Sequence, residues 1–342
     1  MCIAAWQPTW GKILKYFPLN TVFVSSVVGF NIGCVICAVA QNSETLIAGR
    51  AVQGALGARL PPGIYTITAF VTPPEQKPLY MGALAAVFGI ASVLGPILGG
   101  VLTDHATWRL ASGGGGPSKG DAQGKISPNG PAGHFRHYGR AVICYLLAMQ
   151  DGGVIRAWSS ARIIGLLIGI GLLSLLFVVI QYVSGDRAVF RGREVKNRTL
   201  MVMCLISFFM TAGFRLLLYY LPIYFQSTRD VSAATSVINI LPLGLTTSFF
   251  AIACGVIMKV WGRYVPVLLI GSLPLTVGAG LLYTLDIDTS TGKLVGFQLL
   301  AGTGIGLVFQ IPVMVAQSIV EAADMSTVTA IIMWCQTVGA AI

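Results

Sequence analysis

Nine long apolar runs dominate the sequence and constrain its fold more than any other feature. A transmembrane helix needs about 20 mostly apolar residues to cross roughly 30 Å of hydrocarbon. Charged residues make up only 10% of the chain, whereas a soluble domain carries about 25%. The sequence therefore predicts an all-α fold, a polytopic membrane helix bundle of about nine spans. The spans are predicted at residues 21–40, 46–70, 80–103, 162–184, 199–225, 231–257, 264–285, 293–320 and 326–342.

Basic residues set the direction of these spans. If the start of the first span faces the cytoplasm and the spans alternate, the inside loops hold ten Lys and Arg residues. The short outside loops then hold only Arg229 and Lys293, which is a positive-inside bias. The short apolar run at 141–149 is not counted, because a tenth span there would move a basic loop outside. The net charge of +10 does not indicate nucleic-acid binding, since it is not clustered on one face.

Residues 111–138 differ in composition from the rest of the chain. The stretch ASGGGGPSKGDAQGKISPNGPAGH is rich in Gly, Pro and charge, so it can neither pack a core nor span lipid. The sequence predicts a disordered linker here, between an N-terminal helical part at 1–110 and a C-terminal helical part at 139–342. The GGGGPSKG within it lacks the spacing of a phosphate-binding loop.

Three motifs lie within the apolar runs. LIAGRAVQGALGA at 46–58 places Arg50 near the start of a span; an Arg within a span costs about 2.5–3.5 kcal/mol, so it usually faces the bundle interior or water. GIASVLGPILGG at 89–100 combines Pro96 with glycines, which predicts a kinked and closely packed helix suited to act as a pivot. The third motif is YYLPIYFQ at 219–226.

These motifs resemble those of the major facilitator superfamily, in particular its fourteen-span drug:proton antiporter branch in fungi. The segment 50–54 resembles the fourth-span motif R-x-x-Q-G, and the segment 95–100 resembles the fifth-span antiporter motif G-P-x-x-G-G. YYLPIYFQ and GTGIGLVFQIP at 302–312 resemble the second half of the same branch. The residues assigned to transport and gating on this resemblance are Arg50, Gln53, Gly54, Gly95, Pro96, Gly99, Gly100 and Asp104.

The resemblance implies proton-driven export of small amphiphilic compounds such as drugs, toxins or secondary metabolites. Arg50 would serve gating or proton relay, 95–100 the pivot, and Asp104 the end of the pivot helix. The expected partners are an amphiphilic substrate, protons and the lipid bilayer, with no cofactor, no nucleic acid and no obligate protein partner. The expected location is the plasma membrane, with the vacuolar membrane as the alternative. Candidates for lining a substrate pocket are Arg215, Tyr219, Tyr224, Gln226, Gln310 and Gln317.

Some of these candidates have a second interpretation. Interface anchoring explains Tyr219 and Tyr224 equally well, because aromatic residues with a polar tip favour the membrane–water boundary. Arg215 has no specific motif around it, and lining a water-filled cavity would account for it.

The same resemblance implies that the family pattern has spans beyond those in this sequence. The first span and most of the second would precede Met1, and the chain ends at Ile342 inside the penultimate span. Proton coupling needs a titratable acid in the permeation path, yet no acid falls in the middle of a predicted span. Arg50, Arg59 and Arg215 therefore remain span cations without a mid-span acid. The main alternative is a truncated or degenerate remnant that does not transport on its own.

A membrane-bound enzyme is the alternative from another class. Metal-dependent membrane enzymes need clusters of His or carboxylate ligands, and the chain has only His105, His134 and His137. No pairing of a nucleophile with a base is evident. The C-x-x-C at 34–37 and the G-x-G-x-G at 302–306 lie in apolar runs, where small residues pack helices. The sequence therefore predicts a protein that is not an enzyme.

Overall fold

The computed structural model describes residues 6–7, 10–11, 13, 19–105, 159–184, 194, 196–229, 231–286, 289–322 and 324–341. Every regular element within these ranges is an α-helix. The predicted linker at 111–138 and the short run at 141–149 lie outside the described residues. The helices are α1 (Leu19–Val39), α2 (Ser43–Gly57), α3 (Leu60–Val71), α4 (Lys77–His105), α5 (Ala161–Ser184), α6 (Arg198–Arg229), α7 (Ala233–Ile238), α8 (Leu241–Trp261), α9 (Tyr264–Tyr283), α10 (Thr291–Val308), α11 (Ile311–Ser318) and α12 (Met325–Gly339).

Five stretches among the described residues are long and apolar enough to cross a membrane. They coincide with the first, fifth, sixth, seventh and eighth predicted spans. The third and fourth predicted spans are occupied by α4, with 29 residues, and α5, with 24 residues. The predicted all-α membrane bundle is therefore confirmed. The five stretches are Leu19–Val39, Arg198–Arg229, Thr235–Trp261, Tyr264–Tyr283 and Thr291–Ser318.

Three predicted spans are each divided into two helices just before a proline. The span predicted at 46–70 breaks between Gly57 and Leu60, and Pro61 and Pro62 follow in the first turn of α3. The same arrangement separates α7 from α8 and α10 from α11, where a proline again stands in the first turn of the second helix. Proline lacks an N–H and its ring clashes with the preceding turn, so it is favoured in the first turn of a helix. Pro96, Pro222 and Pro274 nevertheless lie inside α4, α6 and α9. Each of these three spans is therefore locally interrupted before its proline, and the residues at the interruptions in the sixth and eighth predicted spans keep right-handed helical torsions.

The described residues fall into two compact units. Each unit draws on separate stretches of the chain, so neither is a continuous segment. The predicted division into 1–110 and 139–342 stays a prediction. The first unit is formed by the described residues of Met1–Gly63, Gly115–Met201 and Ala322–Trp334, and the second by those of Ile64–Gly114, Val202–Glu321 and Cys335–Ile342.

In the first unit, α1 and α2 pack together through glycines. A Cβ added at Gly33 would lie 2.8 Å from the backbone nitrogen of Gln53, and one added at Gly49 would lie 2.7 Å from Cys37 Sγ. Such distances leave no room for a side chain, so the two backbones approach closely because these residues are glycine.

In the second unit, α8 packs against both α4 and α10, and α10 also packs against α9. The crossing of α4 and α8 is formed by Gly82 and Gly255. A Cβ at Gly82 would lie 2.6 Å from the carbonyl oxygen of Ala251, and a Cβ at Gly255 would lie 2.5 Å from that of Pro78. Small residues therefore set the spacing in this unit, as is usual where lipid supplies no hydrophobic force between helices.

The two faces of α9 differ in what they contact. One face is buried and carries Gly271 and Gly278, seven residues apart on the helix. The opposite face exposes Leu269, Leu273 and Val277. An exposed row of large apolar side chains is typical of a helix surface that faces lipid.

Candidate functional site

The motif at 50–54 lies on α2, with its two polar side chains in different surroundings. Gln53 is half-buried against α1, and its Nε2 donates to Cys34 Sγ at 3.1 Å. Arg50 is exposed, although its neighbour Gly49 is buried in the contact with α1. Because successive helical positions point about 100° apart, Arg50 is directed away from that contact. The structure therefore uses Gln53 for helix packing and leaves the Arg50 guanidinium accessible.

The antiporter-like motif lies in the second half of α4, which continues as helix from Lys77 to His105. Gly95 is exposed, and a Cβ there would meet nothing within 4 Å. Close packing instead occurs earlier, where Gly82 and Gly89 lie against α8. The pivot assignment stays a prediction, because only the backbone of the remaining motif residues is described. Those residues are Pro96, Gly99, Gly100 and Asp104.

The four pocket candidates on α6 differ in their exposure. Arg215 and Tyr219, one turn apart, are exposed, and so is Gln226. Tyr224 is half-buried, and its hydroxyl donates to the carbonyl oxygen of Asp286 at 2.7 Å. This hydrogen bond ties the end of α6 to the loop after α9.

Gln310 and Gln317, the other two pocket candidates, are brought together by Tyr65. Gln310 is 1% exposed, and its Nε2 donates to the Tyr65 hydroxyl at 2.5 Å and to the carbonyl oxygen of Met81 at 3.1 Å. Gln317 Nε2 donates to the carbonyl oxygen of Tyr65 at 3.5 Å. We call Tyr65, Met81, Gln310 and Gln317 the amide cluster. It joins α3, α4 and α11 next to the break between α10 and α11, and it satisfies buried polar groups that would otherwise be costly.

Replacing Gln310 with leucine should destabilise the second unit. The substitution leaves the Tyr65 hydroxyl and the Met81 carbonyl without their donor, which costs about 1–3 kcal/mol for a buried group. The midpoint of thermal unfolding of the detergent-solubilised protein should fall. Gln226→Leu, at an exposed position, is the matched control and should leave the midpoint unchanged. Equal midpoints for the two variants would show that the cluster does not contribute to stability.

Arg59 is a buried cation whose role the sequence alone does not indicate. It lies at the break between α2 and α3 and is 4% exposed. Its guanidinium carbon stands 3.9 Å from the centre of the Trp10 ring, and its Nη2 donates to Ser25 Oγ at 3.3 Å. The indole Nε1 of Trp10 donates to the carbonyl oxygen of Ala55 at 2.8 Å. The sequence contains one indication that Arg59 is important, because it lies in the middle of a predicted span and such arginines are usually functional.

The sequence matches the family described as Major Facilitator Superfamily over residues 1–117 and 141–342. This match covers nearly all of the chain, including the motifs on α2 and α4. The chain belongs to the major facilitator superfamily. It is therefore an integral, multi-pass membrane protein of a transporter family, and the expectation that it is not an enzyme is confirmed.

Fungal members of the superfamily are similar to the whole chain. The MFS-type transporter grgE of Penicillium sp is 38% identical over 362 residues, covering 100% of this chain and 64% of the relative. The probable efflux pump gsfJ of Penicillium aethiopicum is 39% identical over 353 residues, covering 98% of this chain and 63% of the relative. The MFS-type efflux pump MFS1 of Arthroderma benhamiae is 34% identical over 366 residues, covering 100% and 68%.

These relatives confirm the resemblance to fungal superfamily transporters, and the chain spans about two thirds of their length or slightly less. Among solved structures, the superfamily proton:xylose symporter XylE, bound to 6-bromo-6-deoxy-D-glucose, superposes with a TM-score of 0.59 at 17% identity. That match covers 99% of this chain and 74% of the symporter, and it shows the shared fold. Within the described part of the chain, no group of three or more His, Cys, Asp and Glu side chains is placed to hold a metal ion.

Proposed function

We propose that this protein exports small amphiphilic molecules, such as drugs, toxins or secondary metabolites, in exchange for protons. The observation that carries the proposal is the 34–39% identity, over all or nearly all of the chain, to fungal proteins named as transporters and efflux pumps. We place the protein in the plasma membrane, with the vacuolar membrane as the alternative.

The accessible guanidinium of Arg50 supports a role in proton coupling. Arginine does not lose its proton in proteins, so Arg50 cannot itself carry the exchanged proton. A cation instead stabilises the ionised form of a carboxylate that comes near it and releases that carboxylate when it is protonated. Protonation of that carboxylate would thus break its contact with Arg50, and gating requires such a protonation-dependent contact.

The packing of α4 supports a pivoting motion. Its first half is held against α8 at Gly82 and Gly89, whereas Gly95 in its second half has no close neighbour. In this proposal the part of α4 beyond Gly95 moves relative to the part that packs on α8. In this proposal the motion opens the substrate path alternately to the two sides of the membrane.

Transport by the full chain in liposomes tests the proposal. Proteoliposomes with an acidic interior would be given an external fluorescent amphiphile, dansyl-leucine or its amide. The outward proton gradient should drive accumulation of at least one probe, and a protonophore should abolish that accumulation. Protein-free liposomes treated in the same way provide the background. Uptake equal to this background for both probes would reject the proposal and favour a chain that does not transport on its own.

A further inference from the structure

The buried Arg59 has hydrogen-bonding capacity that the described residues do not use. A guanidinium carries five N–H donors in a fixed plane. One of them reaches Ser25 Oγ, while Nε is buried and has no hydrogen-bond partner among the described residues. Leaving a buried, charged donor without an acceptor is costly. The Nε of Arg59 is therefore a buried donor that lacks an acceptor among the described residues.

Trp10 contacts the flat face of the guanidinium and not its N–H edge. Trp10 covers the flat face of Arg59, whereas the N–H groups project outward in the plane of the guanidinium. Stacking on an aromatic ring and binding a carboxylate along the edge are compatible uses of the same arginine. Since the Trp10 indole is fixed by its hydrogen bond to the Ala55 carbonyl, the aromatic wall is in place before any ligand arrives.

Charge indicates which acceptor is missing. Arginine is almost never fully buried unless it is paired, and Arg59 makes no ion pair with any acid in the described part of the chain. An anion would neutralise the guanidinium and fill the Nε position at once. A carboxylate suits the site because it can accept two parallel N–H bonds from one edge of arginine.

The surroundings of Trp10 indicate what such an anion would be attached to. The ring of Trp6 lies 6.5 Å from that of Trp10, and Trp6 is 42% exposed. An exposed aromatic surface beside a buried cation can hold a molecule with an acidic group at one end and an apolar body.

We propose that Arg59 and Trp10 form a binding site for the carboxylate of an amphiphilic molecule, with Ser25 at its border and Trp6 against its apolar part. If the bound molecule is also the exported substrate, the substrates are amphiphilic carboxylates, and this part of the inference rests on the proposed export function. As a binding site, it stands independently of transport.

Equilibrium binding to the full chain in phosphatidylcholine nanodiscs tests the site. The probes are dansyl-leucine and dansyl-leucine amide, which differ in the negative charge, and binding is followed by energy transfer from tryptophan to dansyl. The acid should bind about tenfold more tightly than the amide, as one charge-assisted contact would produce. Arg59→Gln should remove this preference, and Arg59→Lys should keep part of it because the charge remains. Arg263→Gln, at an exposed arginine, is the matched control and should keep it fully.

Three results would overturn the proposal. Equal affinities of the unmodified protein for the acid and the amide would do so without any variant having to fold. Preference for the acid that persists in Arg59→Gln would place the contact elsewhere. A third arm repeats the titration in nanodiscs containing phosphatidylglycerol. Arg59→Gln is titrated beside the unmodified protein, because the anionic surface repels the acid from both. Equal preferences of the two proteins there would identify a lipid headgroup as the occupant, against the proposal.

The binding experiment is separate from the test of transport because it uses no proton gradient. Preference for the acid without gradient-driven uptake would support the site and reject the export function. Gradient-driven uptake without preference for the acid would support the export function and reject the site.

Discussion

Gly304→Leu is expected to prevent α9 and α10 from packing. An added Cβ at Gly304 would lie 2.6 Å from the Cα of Leu275. The obstacle is backbone, which cannot rotate aside as a flexible side chain does, so the two helices would have to separate along their length. The expected loss of stability is about 3 kcal/mol, at the upper end for an overpacked site.

Gly296→Leu on the same helix is the matched control for this effect. A Cβ at Gly296 meets nothing within 4 Å, and the residue is exposed. Both variants add the same apolar side chain and remove a glycine from α10, so helix propensity and hydrophobicity change equally. Size-exclusion profiles and thermal unfolding in detergent should show loss of the folded protein for Gly304→Leu alone. Equal stability of the two variants would contradict the close contact between α9 and α10.

Arg50→Ala is expected to reduce gradient-driven export by about 100-fold, as loss of a charge-assisted contact would produce. The physical reason is that alanine cannot stabilise an ionised carboxylate, so protonation no longer changes any contact at this position. Arg50→Lys should retain part of the activity because the charge is kept and the planar fork is lost. Because Arg50 is exposed, neither variant should lower the stability.

Initial rates in the liposome assay, corrected for the amount of protein incorporated, measure this effect. Arg263→Ala serves as the control, since it removes one exposed arginine outside every motif. If Arg50→Ala is incorporated normally and exports at the rate of the unmodified protein, Arg50 has no role in the mechanism.

Hydropathy was sufficient to predict where the helices lie, because the apolar length needed to cross a membrane is fixed by the bilayer. It did not predict the three helix breaks, since the apolar character continues through them. A proline follows each break, as at Pro61 and Pro312, but Pro222 and Pro274 lie inside unbroken helices, so proline alone does not locate a break. Hydrophobicity averaged over a window does not register a missing N–H.

The candidate site was less predictable, because its contacts join distant parts of the chain. The prediction that Gln310 lines a pocket stays a prediction, whereas its hydrogen bonds join it to residues more than 200 positions earlier. Arg59 likewise depends on Trp10 and Ser25, which belong to earlier segments. A single sequence does not contain the pairing of such positions, so neither arrangement was foreseeable from residue type and spacing.

The glycine crossings and the proline breaks together determine how the second unit can deform. Where two backbones are in direct contact, as at Gly82 and Gly255, sliding one helix along the other would force each glycine past a bulkier neighbour. Bending at a break requires only a few backbone torsions to change. The helices of this unit should therefore behave as stiff rods connected by short joints. Substitution of the prolines at these joints, Pro242 and Pro312, is then expected to alter the rate of conformational exchange.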